Sequence, residues 1–167
     1  VRRWIWVLAY IAALWTHLAV ASLFPAQSAA PDVLLVGALV VGLLRGPLPG
    51  ASAGVVLGLS GDIIAGRLMG LGGLTLALAG LIAGLASRRV FRENLLIIGI
   101  TSLVLSVGAT LAYGIGARAL GVDFGLARAV WAVGLPVGLY SAFLVPLLYA
   151  ISFRRLGAVA GAGSRDD

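Results

Sequence analysis

The chain has no cysteine, no lysine and a single histidine, and only 11% of its 167 residues are charged. Each shortage removes some chemistry. Without cysteine there is neither a disulfide nor a thiolate metal site. His17 stands alone in Trp15-Thr16-His17, with no acidic pair inside an apolar segment to complete a metal site. The same poverty removes nucleophilic triads and paired-carboxylate hydrolysis. No P-loop is present, and no Gly-x-Gly-x-x-Gly sits in a strand–helix unit. Neither an enzyme nor a cofactor is expected. So few charges within the apolar segments also argue against a proton-coupled carrier. His17 reads as a neutral, hydrogen-bonded residue facing protein.

What is present is apolar surface. Hydrophobic residues make up 61% of the chain, and the mean hydropathy is +1.10. Soluble domains are about 45–50% apolar, so this is an integral membrane protein. The net charge of +6 is carried by arginine alone. In a soluble protein a pI near 11.1 would suggest nucleic acid. Here the arginines lie mostly between apolar segments, which points to membrane lipids and topology instead.

Hydropathy divides the chain into six expected spans, at about 4–24, 31–45, 51–65, 71–87, 95–117 and 129–153. Together they form a six-helix transmembrane domain over 1–155, followed by a disordered tail over 156–167. The first resembles a signal peptide, but its apolar run is too long for an h-region of about 7–15 residues and reads as an uncleaved span. Pro31 and Asp32 open the second, where proline needs no intrahelical donor and aspartate suits the positive helix end. Its apolar run, Val33 to Leu44, is short for a span. Gly46-Pro47-Leu48-Pro49-Gly50 reads as a turn. Pro136 and Pro146 are expected to kink the last span. With the N-terminus inside, Arg2, Arg3, Arg45, Arg88, Arg89, Arg92, Arg154, Arg155 and Arg165 are inner, and Arg67, Arg118 and Arg128 are outer. That imbalance agrees with the positive-inside rule and places both termini in the cytoplasm.

The organising stretch is Gly46 to Gly73. Glycine recurs every four residues at Gly46, Gly50, Gly54 and Gly58. Asp62 takes the next step, and glycine returns at Gly66 and Gly70. On a helix this spacing makes one smooth stripe, and small-xxx-small stripes are a main packing device in lipid. Asp62 on that stripe should face protein, because a carboxylate near membrane depth is costly. It serves as a structural lock, paired with Arg67 or the start of the fourth span, as a partner or substrate site, or as an ion or proton site. Asp32, Asp62 and Arg67 are expected near the outer face. Gly108, Ala112 and Gly116 form a second stripe, and Gly134, Gly138 and Ala142 a third. Ser102, Ser106 and Thr110 form a hydroxyl stripe expected to bond backbone carbonyls.

Pro31-Asp32 opening an apolar run, then Gly54-xxx-Gly58-Leu59-xx-Asp62-xxx-Gly66-xxx-Gly70-Leu71, resembles the rod shape-determining protein MreD family. Arg67 departs from the uncharged stretch of many relatives. The resemblance implies a non-catalytic scaffold or regulator of the elongation machinery in the bacterial inner membrane. It would bind MreC and, through it, act with MreB, RodA and its penicillin-binding transpeptidase in lateral peptidoglycan synthesis. It also implies a fold like that of the substrate-binding subunits of energy-coupling-factor transporters, and a vitamin-binding subunit of that kind is the alternative. Ala9 and Ala13 have the spacing by which such subunits dock their coupling partner. Pro31, Asp32, Gly50, Gly54, Gly58, Asp62, Gly66 and Gly70 are the expected structural or partner-binding residues.

Overall fold

The computed structural model describes residues 10–19, 32–66, 70–90, 94–122 and 125–162. These residues are almost entirely helical, with no strand among them. Helix α1 covers residues 10–19. It is followed by α2 (Val33–Arg45), α3 (Pro47–Ala65), α4 (Leu71–Val90) and α5 (Leu95–Ala119). A short α6 (Leu126–Ala129) leads through a π-helical turn (Val130–Gly134) into α7 (Leu135–Ala162).

Of the described helices, Pro47–Ala65, Leu95–Ala119 and Val130–Ser152 are long and apolar enough to cross a membrane. Val33–Arg45 and Leu71–Ser87 are shorter apolar helices. At 13 residues, α2 extends only about 20 Å, against a hydrocarbon core of about 30 Å. It lies instead at the centre of the bundle. Leu34, Leu35, Val36, Ala38, Leu39 and Leu43 are all buried, and α3, α4 and α7 pack around it. Apart from Arg45 at its end, α2 has no polar face to expose, so a place among other helices is its stable position.

The expected turn over Gly46–Gly50 is a single residue. Gly46, at φ 100°, reverses the chain, and α3 starts at Pro47. Both prolines sit in the first turn of α3, where no intrahelical partner awaits their missing N–H groups. Residues 156–162, expected in the disordered tail, continue α7 as helix. The last span is also built differently from a simply kinked helix. Just before Pro136 the ladder shifts to i→i−5 spacing, and the N–H of Leu135 donates to the carbonyl of Val130. The π turn admits one extra residue there, and Pro146 lies within α7 itself.

The closest packing is between α3 and α4. A Cβ on Gly50 would strike the carbonyl of Gly80, one on Gly54 the backbone at Leu76 and Ala77, and one on Gly58 the backbone at Gly72 and Gly73. From the other side, a Cβ on Gly84 would meet Gly46 and Pro47. Each step of four along α3 is matched by a step of four back along α4, so the helices run antiparallel with their backbones touching. Helix α2 joins this seam at Gly42, whose Cβ would also strike the Gly80 carbonyl. Gly42, Gly50 and Gly80 therefore form one point where three helices meet without side chains.

The α5–α7 pair repeats the device more loosely. Gly99 faces the Ala142 carbonyl, Gly138 faces Leu103 and Val107, and Gly134 faces Thr110. The expected second stripe packs only at one end: a Cβ on Gly108 would have nothing within 4 Å, whereas one on Gly116 would strike the Leu71 side chain of α4. The hydroxyl stripe behaves as expected. Ser102 donates to Ile98 O at 2.8 Å, Ser106 to Ser102 O at 2.7 Å and Thr110 to Ser106 O at 3.1 Å.

These contacts predict opposite outcomes for two alanine substitutions. Gly54→Ala should destabilise the protein by ~1–3 kcal/mol, because the new methyl group displaces backbone. Gly108→Ala should lie within about 0.5 kcal/mol of the parent, since it enters open space. Unfolding of the purified protein in detergent, followed by helix content, distinguishes them; equal losses would place the seam elsewhere.

Candidate functional site: the Asp62 junction

Asp62 lies in the last turn of α3 and is 3% exposed. Its side chain reaches across the connection to α4. Oδ2 accepts from the N–H of Gly72 at 2.9 Å, of Gly70 at 3.0 Å and of Gly73 at 3.4 Å. The first N–H groups of any helix lack intrahelical acceptors, and the positive end of the dipole favours an anion. Asp62 meets both needs of α4 from ten residues away. A buried carboxylate is tolerable because its charge falls on backbone donors and helix dipole rather than on hydrocarbon.

The surrounding residues make this reach possible. Gly66 ends α3 in the left-handed region at φ 58°, where glycine has no Cβ penalty, and its N–H bonds the Asp62 and Ile63 carbonyls. Gly70, at φ 94°, turns the chain into α4. Neither has a neighbour within 4 Å of a built Cβ, so both act through conformation and not through packing. Gly72 is different: a Cβ there would occupy the position of the Asp62 carboxylate. Thr75 completes the turn by donating to Leu71 O and Gly72 O, each at 3.0 Å.

Asp32 serves another helix. Its Oδ1 accepts from the N–H groups of Leu34 and Leu35, both at 3.1 Å, and so caps α2. It is also 4.0 Å from Nδ1 of His17 on α1. That atom is buried and has no hydrogen-bond partner, so Nδ1 does not supply the hydrogen bond expected of this histidine. Asp32 and Asp62 thus hold separate helix N-termini. Pro31, Arg67 and Ala9 lie outside the described residues, while Ala13 packs against the core. Gly50, Gly54 and Gly58 are in the seam and are not free as a docking face.

Two contacts escaped the sequence reading. The Tyr10 hydroxyl bonds Ser60 Oγ, which itself donates to Val56 O at 2.8 Å, joining α1 to α3. Gly42, the third member of the glycine contact, continues the four-residue period back from Gly46, but it lies on α2 and not on α3, so spacing alone did not give its partners. Among the described residues no group of three metal-ligating side chains is present. The junction can hold two helices in register.

Asp62→Ala leaves buried N–H groups unpaired and should cost ~2–4 kcal/mol. Asp32→Ala removes an ordinary cap and should cost ~0.5–2 kcal/mol. Chemical denaturation of both variants in one detergent tests the order. If Asp62→Ala were the milder change, the junction would not be what fixes α4.

The match to known proteins agrees with these features. The family model for rod shape-determining protein MreD matches residues 1–154. No curated protein and no solved structure matches the chain. With three helices long and apolar enough to cross a membrane, and a family match over nearly its whole length, the chain is a membrane protein that belongs to the rod shape-determining MreD family.

Proposed function

We propose that this protein is a non-catalytic scaffold of the bacterial cell-elongation machinery, seated in the inner membrane and binding MreC. The observation that carries this reading is the family match over residues 1–154. Through MreC the protein acts with MreB, RodA and its transpeptidase to maintain rod shape and lateral peptidoglycan synthesis. It crosses the membrane six times, the short α2 doing so inside the bundle where protein and not lipid surrounds it, with both termini in the cytoplasm, as the arginine distribution favours. Its fold is of the kind found in energy-coupling-factor substrate-binding subunits.

The construction of the bundle supports a scaffold. Asp32, Asp62 and the α5 hydroxyls are spent on helix ends and carbonyls, and the tightest seam is internal. What remains for a partner helix is the apolar rim: Val55, Leu59 and Ile63 on α3, Ile100 and Val104 on α5, and Leu139, Phe143 and Leu147 on α7 are all exposed. In lipid such a rim is unremarkable, and a partner helix binds it through shape rather than through apolar area.

Co-expression with MreC from the same organism, and separately with an energy-coupling module, tests the proposal. MreC should co-purify in detergent and the module should not. Capture of the module alone would transfer the reading to vitamin uptake. The Gly54→Ala variant should lose MreC only in proportion to its loss of folded protein, because the seam does not face the partner.

A further inference from the structure

We propose that the bundle end where α2 and α4 finish holds an anionic phospholipid, its headgroup at the level of Arg45, Arg88 and Arg89 and an acyl chain along α4. Glycine packing fixes that level. Gly42 of α2 lies against Gly80 and Gly84 of α4, and Gly84 lies against Gly46 and Pro47. Helices α2 and α4 therefore run parallel and end together. Arg45 stands exposed in the last turn of α2, between those contacts. Arg88 and Arg89 follow Gly84 by one helical turn, about 5 Å, and α4 is helical through both.

The same end collects further positive charge. Helices α5 and α7 are antiparallel, because Gly99 meets Ala142 while Gly134 meets Thr110. Arg154 and Arg155 of α7 therefore lie at the end where α5 begins, beside the end of α4. The carboxylates of the described residues, Asp32 and Asp62, belong to the opposite end, at the starts of α2 and α4. Between α4 and α5, outside the described residues, Arg92 and Glu93 cancel. A helix C-terminus carries only about half a negative charge, so two arginines in the last turn of α4 leave positive charge over.

The face leading to these residues favours a lipid over a soluble anion. Leu74, Leu78, Ile82 and Leu85 are exposed and recur at steps of three or four, so they form one row along α4. Arg88 and Arg89 take the next step, three and four residues after Leu85. The row rises about 16 Å, close to half of a hydrocarbon core of about 30 Å. It therefore matches the chain of a lipid in one leaflet, with the arginines at headgroup level. This site stands apart from MreC binding and does not depend on it.

Native mass spectrometry of the full-length protein in detergent, titrated with phosphatidylglycerol or with phosphatidylcholine of the same chains, tests the proposal. Phosphatidylglycerol should bind more tightly. Arg88→Gln combined with Arg89→Gln should weaken it about thirtyfold, the ratio for two charges at ~1 kcal/mol each. Arg88→Lys combined with Arg89→Lys keeps the charge and should retain most of the binding. Arg118→Gln, at the opposite end, should leave it unchanged. Arg45→Gln alone should weaken it about fivefold, and serves if the double glutamine variant fails to fold. Equal affinity for the two lipids overturns the proposal, as does unchanged binding in the glutamine variants or an equal loss in Arg118→Gln. Displacement of the lipid by inorganic phosphate at the same concentration would also overturn it, because the site would then be one for a soluble anion.

Discussion

Backbone contact between α3 and α4 is the constraint on which the rest of the structure depends. Helices approach this closely only where neither carries a side chain between the axes, and Gly50, Gly54, Gly58, Gly80 and Gly84 provide that condition. Hydrophobic burial gives little preference for protein over lipid in a membrane, so association relies on close packing. The seam provides close packing along most of α3. Its register is fixed where it ends, because Asp62 binds the N-terminus of α4 and nothing one turn away could do so. Glycine contact sets how near the two helices lie; the carboxylate sets how they are aligned.

The short α2 follows from that pair. With α3 and α4 so close, their shared flank presents a narrow groove, and Gly42 enters it at Gly50 and Gly80. The large residues of α2 then fill the space toward α7, where Leu39 and Val145 are fully buried. A helix too short to cross a membrane alone is kept in place by neighbours on all sides. Asp32 begins it and Gly46 ends it, so both its limits are set by local chemistry. The α5–α7 pair encloses the other side, with Ser102, Ser106 and Thr110 turning their hydroxyls back to their own helix. Hydroxyls so engaged cost little in the seam and ask nothing of a partner.

This arrangement explains why the functional reading is one of architecture. The acidic residues seen in the described helices cap helix starts, and the tightest glycine surface is consumed internally. On the proposed reading, a partner helix meets the apolar outer surface of the described helices.

Much of this was legible in the sequence because it depends on local spacing. Four-residue glycine periodicity implies a smooth helix face, a carboxylate on that face must find donors within protein, and an Asp after proline marks a helix start. Helix number and type follow from apolar runs in the same way. The sequence could not tell which stripe meets which helix. Gly54 and Gly108 have the same side chain and similar neighbours in the chain, yet one touches backbone and the other faces open space. Nor could it foresee that Gly42, on a different helix from Gly50 and Gly54, completes the three-helix contact, or that His17 approaches Asp32 fifteen residues away. Those facts depend on where distant segments lie, and only the tertiary arrangement decides that. The sequence determined the faces that can pack closely; the fold decided which of them do, because contact between helices is a property of their relative position and not of either one alone.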